Sequence, residues 1–395
     1  MSAPLQLTRE DAAIAERLHR AVEHLRQHGL SAEIEQLAPL AAQARHPVLR
    51  GEIHRLLGFY WLRCERYALA LQHSDAAAQA LPASTDCSYN AMYACFRLGR
   101  YDEAVARGHA AIARHGESHV WHNLMSTTLG HAGRSHEGRP HGTRALALKD
   151  ALTAGVAGCD LSAVPCAPPA QRPAPGRWVI SFSLFGQGAK YLRGAVHNAQ
   201  AARYLYPEWR CRFHVDASVP ADTLQALRDA GAELRMQPES LPAARWGTLW
   251  RFLVADDPAV DRYLVRDADS LLNLREAAAV QEWLASGRHF HLMRDHFDHS
   301  ELVLAGMWGG VRGALPPLQA LATAFLAQEA RVQARTADQE FLREQLWPTM
   351  RQSVLAHDSQ FGFGEVHPFP AWARLPDGCH VGGAWEALLG EPPAG

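Results

Sequence analysis

The chain has 395 residues, 48% of them hydrophobic and 20% charged, with a formal net charge of -2. That length favours two compact units, each able to bury a core, and the balanced charge excludes a bulk-electrostatic case for nucleic acid or an anionic membrane surface. No apolar run approaches the roughly 18–20 residues of a spanning helix, no basic-then-apolar leader opens the sequence, and the seven scattered cysteines, none in a C-x-x-C pair, read as reduced thiols of a cytoplasmic protein.

In chain order, a self-similar segment comes first. Cys64-Glu65-Arg66-Tyr67-Ala68 is echoed by Leu98-Gly99-Arg100-Tyr101-Asp102 and by Ala132-Gly133-Arg134-Ser135-His136, so each step is 34 residues. Ala77, Ala111 and Ala145 recur at the same step. Small residues at fixed positions let paired helices approach closely, and each pair buries its apolar face only against a neighbour. This period and its turn resemble the tetratricopeptide repeat, with an unrelated helical bundle as the alternative. Residues 8–44 read as a further, degenerate helical pair capping the array, opened by a capping box of Thr8 with Asp11.

Composition shifts after Leu152, where Pro165, Pro168, Pro169, Pro173 and Pro175 crowd an aperiodic stretch. Residues 153–176 are expected to form a semi-rigid linker between a helical domain, 1–152, and a second domain, 177–395. From Trp178 the pattern alternates. Strands are expected at 178–184, 211–216, 233–236 and 262–266, and helices at 191–205, 221–230 and 248–255. Such alternation predicts an α/β domain with a mainly parallel sheet, in which ligands bind beyond the carboxyl ends of the strands. Asp216 and Asp267 both stand at such ends.

The sharpest local signal is Tyr263-Leu264-Val265-Arg266-Asp267-Ala268-Asp269-Ser270. A buried strand runs straight into two carboxylates one residue apart. Alternate residues of an extended segment point the same way, so Asp267 and Asp269 can share a divalent cation. Oxygen ligands suit Mg²⁺ or Mn²⁺, ions that bridge phosphates and can neutralise a diphosphate leaving group.

The surrounding order of motifs adds to this. Trp250-Arg251-Phe252-Leu253-Val254, Asp257-Pro258, Val260-Asp261 and the acidic pair together resemble the central run of glycosyltransferases of the A-type, Rossmann-related fold, most closely the family-8-like hexosyltransferases. Leu304-Ala305-Gly306-Met307-Trp308, Ala337-Asp338-Gln339-Glu340 and His380-Val381-Gly382-Gly383-Ala384-Trp385 follow in the same order as further elements of that family. The last departs from the pattern by lacking its lysine and proline.

The resemblance implies a metal held by Asp267, Asp269 and His380, with His367 as the rival histidine. Ser181, Asp216, Arg251, Gly306 and Trp308 would meet the donor, and Asp338 and Gln339 the transferred sugar or the acceptor. It also implies transfer from a nucleotide sugar of the UDP-hexose type to a saccharide or protein hydroxyl, with the repeats binding a protein partner or the acceptor.

The densest ionisable cluster is His289-Phe290-His291-Leu292-Met293-Arg294-Asp295-His296-Phe297-Asp298-His299. A strand ending near Arg294 could present Asp295 or His296 as general base. Zinc is a weaker reading, because strand residues two apart rarely converge without another element. Two other functions stay open: a repeat-based adaptor with a degenerate transferase domain, and a metal-dependent phosphoester hydrolase.

Overall fold

The structure, a computed structural model, describes residues 7–28, 36–328 and 336–389. It divides into two compact units, 1–145 and 146–395. Part of the proposed capping pair, 29–35, lies outside the described residues. Among the described residues no helix is long and apolar enough to cross a membrane.

The first unit is helical. It comprises α1 (Arg9–His28), α2 (Ala38–Gln43), α3 (Pro47–Arg63), α4 (Tyr67–Ala80), α5 (Thr85–Arg97), α6 (Tyr101–His115) and α7 (His119–His131), and α8 (Ser135–Ala151) spans the division. The three turns expected at 34-residue intervals are the same turn. Arg66, Arg100 and Arg134 each donate a backbone N–H to the carbonyl five residues back, at 2.9, 2.9 and 2.8 Å, the closure that ends a helix with a left-handed residue. That residue is Gly99 (φ 71°) and Gly133 (φ 74°) in two repeats, but Glu65 (φ 57°) in the first. Ala77, Ala111 and Ala145 are all buried where helices meet, so the helical repeat is tetratricopeptide-like in register as well as in sequence.

Thr8 caps α1 as expected, accepting from the Asp11 N–H at 3.1 Å. The Asp11 carboxylate also reaches the Arg45 N–H at 2.9 Å, which fastens the entry of α3 to α1.

The second unit is an α/β unit built on an eight-stranded sheet. Its strands are β1 (Trp178–Leu184), β2 (Arg210–Val215), β3 (Glu233–Met236), β4 (Arg262–Arg266), β5 (Phe290–Arg294), β6 (Met307–Val311), β7 (Val354–Asp358) and β8 (Val366–His367), in the order β3-β2-β1-β4-β6-β5-β7-β8. The sheet is mixed, which qualifies the parallel sheet expected from sequence. β6 runs antiparallel to both β4 and β5, while the remaining neighbours pair in parallel. β1 and β4 are buried along their whole length, as central strands covered on both faces must be.

Helices α9 (Ala189–Leu205), α10 (Ala221–Asp229), α11 (Ala243–Trp246), α12 (Leu274–Ser286) and α13 (Leu318–Leu326) connect the strands. The helix expected at 248–255 is a 3₁₀ turn, Trp250–Asp256. Trp250, Trp283 and Trp308 are fully buried, so these rings fill the core instead of stacking on a sugar.

Residues 153–176, expected as a linker, are fastened to the sheet unit. Cys159 donates its N–H to Thr349 at 3.0 Å, the Val164 carbonyl accepts from His289 at 2.9 Å, and that of Ala167 accepts from Arg262 at 2.8 Å. The sheet unit thus supplies the acceptor for Cys159 and the donors for the Val164 and Ala167 carbonyls.

One buried ion pair ties three elements together. Arg266 on β4 donates Nε to Glu276 on α12 at 2.6 Å and Nη1 to the Trp308 carbonyl on β6 at 2.9 Å, while Tyr206 donates its hydroxyl to Glu276 at 3.1 Å. Removing one partner of such a pair leaves an uncompensated buried charge.

Two outcomes are expected in urea unfolding followed by circular dichroism. Glu276→Ala loses about 3–5 kcal/mol, and an unchanged midpoint contradicts this account. Glu65→Gly gains about 1 kcal/mol by relieving left-handed strain, and a loss of stability would show that the Glu65 side chain contributes more than its backbone costs.

Candidate active site

The site grows from the carboxyl end of β4, where Asp267, Ala268 and Asp269 leave the sheet. Ala268 is buried, and the two aspartates flank it at the surface of a cleft of about 400 Å³ that also includes Ser183, Tyr191, Arg251 and Asp338. That volume is within the range of small-ligand sites.

The backbone of this loop is held from α9. Asn198, fully buried, donates its amide to the carbonyls of Ala268 at 3.2 Å and Ser270 at 2.8 Å and accepts from the Leu272 N–H at 2.8 Å. On the same helix, a Cβ at Gly194 would collide with the Ala268 carbonyl, so only glycine lets α9 approach this closely. Neither residue was singled out in the sequence, where an Asn and a Gly four apart on a helix carry no sign of their target.

Each carboxylate meets a cation. Arg251, from the 3₁₀ turn, pairs with Asp267 and reaches Asp338 at 3.2 Å. Its backbone N–H is anchored on Ser183 at 3.0 Å. Lys190, at the start of α9, pairs with Asp269 at 2.7 Å. Partial burial depresses the Lys190 ammonium, but the Asp269 carboxylate outweighs this and raises it. Lysine is rare in the chain, only Lys149 and Lys190, and that rarity was the one available hint.

Burial pushes the Asp338 carboxyl above its ordinary value; the Arg251 guanidinium opposes this and Asp267 adds to it. Gly306 lies against Asp267, and any Cβ there would collide with that carboxylate. Gln339 turns away from Asp338. Its amide donates to the Val303 carbonyl at 2.8 Å and accepts from the Ala305 N–H at 3.1 Å, so it fixes the loop that delivers Gly306.

The structure thus brings together Asp267, Asp269, Arg251, Gly306 and Asp338, with Gln339 behind them. Other expected residues lie elsewhere. Ser181 is wholly buried, its hydroxyl without a hydrogen-bond partner among the described residues, and Ser183, two residues on, lines the cleft instead. Trp308 packs edge-on against Phe252 and Tyr263, both at 5.6 Å between ring centroids. Asp216 accepts from the Ser218 N–H at 3.0 Å, and the Ser218 hydroxyl accepts from Gly186 at 2.6 Å, which knits the loops after β1 and β2.

Asp295 is saturated by Arg275 at 2.9 Å, by the Ser359 hydroxyl at 2.7 Å and by the Val381 N–H at 3.1 Å. This is an anchoring role, unlike that of a general base. The 380–385 segment does reach the acidic loop. Trp385 donates its N–H to the Asp269 carbonyl at 3.1 Å, and Ser270 donates its hydroxyl to the Gly382 carbonyl at 2.9 Å. The His380 ring, however, stacks on His296 at 4.1 Å and stands against His299 at 5.0 Å. The nitrogens of these three rings converge within 4.8 Å of one another, so His380 groups with histidines and not with the aspartates. His367 lies on β8 beside Glu282 and His357.

No protein-family model matches the chain, and no curated protein matches it. Solved structures with some similarity include MamA from AMB-1, at 22% identity over 35% of this chain and 80% of that one with a TM-score of 0.32. MamA from MSR-1 is 21% identical over 35% of this chain and 78% of its own, with a TM-score of 0.33. A mutant of the Thermobaculum terrenum O-GlcNAc transferase is 18% identical over 66% of this chain and 47% of its own, with a TM-score of 0.38. Scores this low transfer neither fold nor activity, so the function has to be argued from the site itself.

A carboxyl with a raised folded pKa holds its proton more tightly in the folded chain than in the unfolded one. Its contribution to stability therefore falls as pH rises from about 4 through the raised folded value. Asp338→Asn abolishes that loss, so the variant's unfolding free energy relative to the parent improves with rising pH across this window. A difference that stays flat in urea titrations at successive pH values would contradict the assignment.

Proposed function

We propose that the α/β unit is a nucleotide-sugar-dependent glycosyltransferase acting at the cleft beyond β4. The observation that carries this reading is the pair Asp267 and Asp269 at a strand's carboxyl end, faced by Arg251 and Lys190 in one small-ligand cleft. Acidic and basic groups interleaved in this way suit a diphosphate with its counter-cation.

Mg²⁺ or Mn²⁺ fits the donor set. The cleft offers carboxylates, and among the described residues no third His, Cys, Asp or Glu ligand atom completes a protein cage with the pair. These ions take their remaining ligands from phosphate and water. Asp267 and Asp269 would hold the ion, which would offset charge on the departing diphosphate.

The chain's own groups do the rest. Arg251 and Lys190 exchange their carboxylates for phosphate oxygens when the donor arrives, Arg251 as a planar two-pronged donor and Lys190 as a point charge. Gly306 lets its loop pack directly against the Asp267 carboxylate, which keeps that side chain at the edge of the donor site. The bond from the anomeric carbon to the diphosphate breaks, and one to the acceptor oxygen forms. Asp338, made more basic by burial, takes the acceptor hydroxyl's proton. A UDP-hexose donor and a saccharide or protein hydroxyl acceptor are our reading, with the helical repeats binding a polypeptide, either acceptor or partner.

A second reading is favoured by the same ion pairs. With both carboxylates already neutralised, the unit could be a degenerate transferase serving the repeats as an adaptor.

Calorimetry with UDP and UDP-hexoses, with and without Mn²⁺, separates the two, since an adaptor binds neither. The transferase reading expects Mn²⁺-dependent UDP release that falls by about a hundred- to a thousand-fold in Asp267→Ala, Asp269→Ala and Arg251→Lys. Full turnover in the folded aspartate variants sinks the assignment. Phosphate release from simple esters without a nucleotide sugar would instead identify a hydrolase.

A further inference from the structure

A second constellation, not used by the cleft, has the geometry of a metal site. It lies where β7 and β8 form the end of the sheet. His357 and His367 are register partners on these parallel strands, so their side chains leave the same face side by side, from backbones about 4.8 Å apart. Their rings stand at 5.2 Å and 84° to each other. Glu282, from α12, closes the third side.

One carboxylate oxygen of Glu282 lies 2.8 Å from His357 Nε2 and 3.2 Å from His367 Nε2, and the three donor atoms fall within 4.8 Å of one another. Tetrahedral zinc, with ligands at about 2.0–2.1 Å, separates them by roughly 3.3 Å. Two of the three spacings are already near that value.

The surroundings favour an ion over a simple ion pair. His357 is wholly buried, and its other ring nitrogen, Nδ1, lies 2.9 Å from Nε2 of the equally buried His291. A metal-bound imidazole is commonly held by such a partner at its second nitrogen, which fixes both tautomer and ring orientation. Among the described residues Nδ1 of His291 has no hydrogen-bond partner, so the sheet interior holds this ring with its hydrogen bonding incomplete. Glu282 and His367 are each partly open to solvent, which provides an entry path and room for a water as fourth ligand.

Two imidazoles and a carboxylate suit zinc better than the oxygen-seeking ions of the cleft. The stacked trio His296, His299 and His380 is a poorer match. His299 Nδ1 accepts from the Asp295 N–H at 3.0 Å, which places the ring proton on the remaining nitrogen, the one that would have to bind the ion.

We propose that Glu282, His357 and His367 bind one zinc ion, which pins the two-residue strand β8 to α12 at the end of the sheet.

The test uses the full chain, stripped with a chelator and then titrated with Zn²⁺ by calorimetry, with elemental analysis after gel filtration. One equivalent is expected, together with a rise in melting temperature and, on replacement by Co²⁺, the visible absorption of a tetrahedral site. His367→Ala and Glu282→Gln change half-exposed positions and keep the fold; each should weaken Zn²⁺ binding at least about tenfold and abolish the thermal shift. His296→Ala should change neither. No uptake by the parent, unchanged affinity in His367→Ala, or a loss confined to His296→Ala would each overturn the proposal.

Discussion

Charge compensation at the carboxyl end of β4 is the constraint on which the site depends. A buried strand releases Asp267 and Asp269 beside a third carboxylate, Asp338, and such groups can share a partly enclosed cleft only if cations stand among them. At an effective dielectric near 20, two unit charges about 4 Å apart interact by about 4 kcal/mol, enough to decide which side chains occupy the space. Arg251 bridges Asp267 and Asp338 from a 3₁₀ turn anchored on Ser183, and Lys190 meets Asp269 from α9. On the proposed reading, an arriving diphosphate would compete for these cations and a divalent ion for the carboxylates; the ion pairs themselves hold the three carboxylates in place.

The frame behind the site is rigid for identifiable reasons. Asn198 pins three backbone groups of the acidic loop, and the Arg266–Glu276 pair locks β4 to α12 and β6. Gln339 orders the loop that brings Gly306 against Asp267. None of these residues needs to touch a ligand. Each limits how far the carboxylates can drift, a limit that the proposed transfer would need.

Histidines gather along β5, β7 and β8 and on the loops after them. Burial drives His291 and His299 well below their ordinary values, so they are uncharged building blocks, unsuited as proton carriers near neutral pH. Where neutral rings meet the Glu282 carboxylate they resemble a ligand set, and where they stack on one another they fill space. Only the 289–299 run stands out in sequence; Glu282, His357 and His367 meet only in the folded chain.

The sequence by itself determined what is periodic or local. The 34-residue step appears directly as three equivalent turns, because a repeat imposes the same left-handed closure each time. Strands β1 and β4 were legible because central strands are largely apolar runs, and Asp267 and Asp269 stood out because they follow such a strand at its carboxyl end. Only the tertiary structure decided the rest. β6 inserts antiparallel, since strand direction depends on how the chain returns, and 153–176 joins the sheet unit, since free carbonyls bond to whichever donors lie near. Lys190, Asn198 and Gly194 become parts of the site through contacts some 70 to 80 positions away in the chain. His380 and His367, rivals as single letters in sequence, were separated by packing: one stacks with His296, and the other meets Glu282 of α12 beside its strand partner His357. Which atoms share a cleft depends on distances in space, and these are set only when the sheet closes its core.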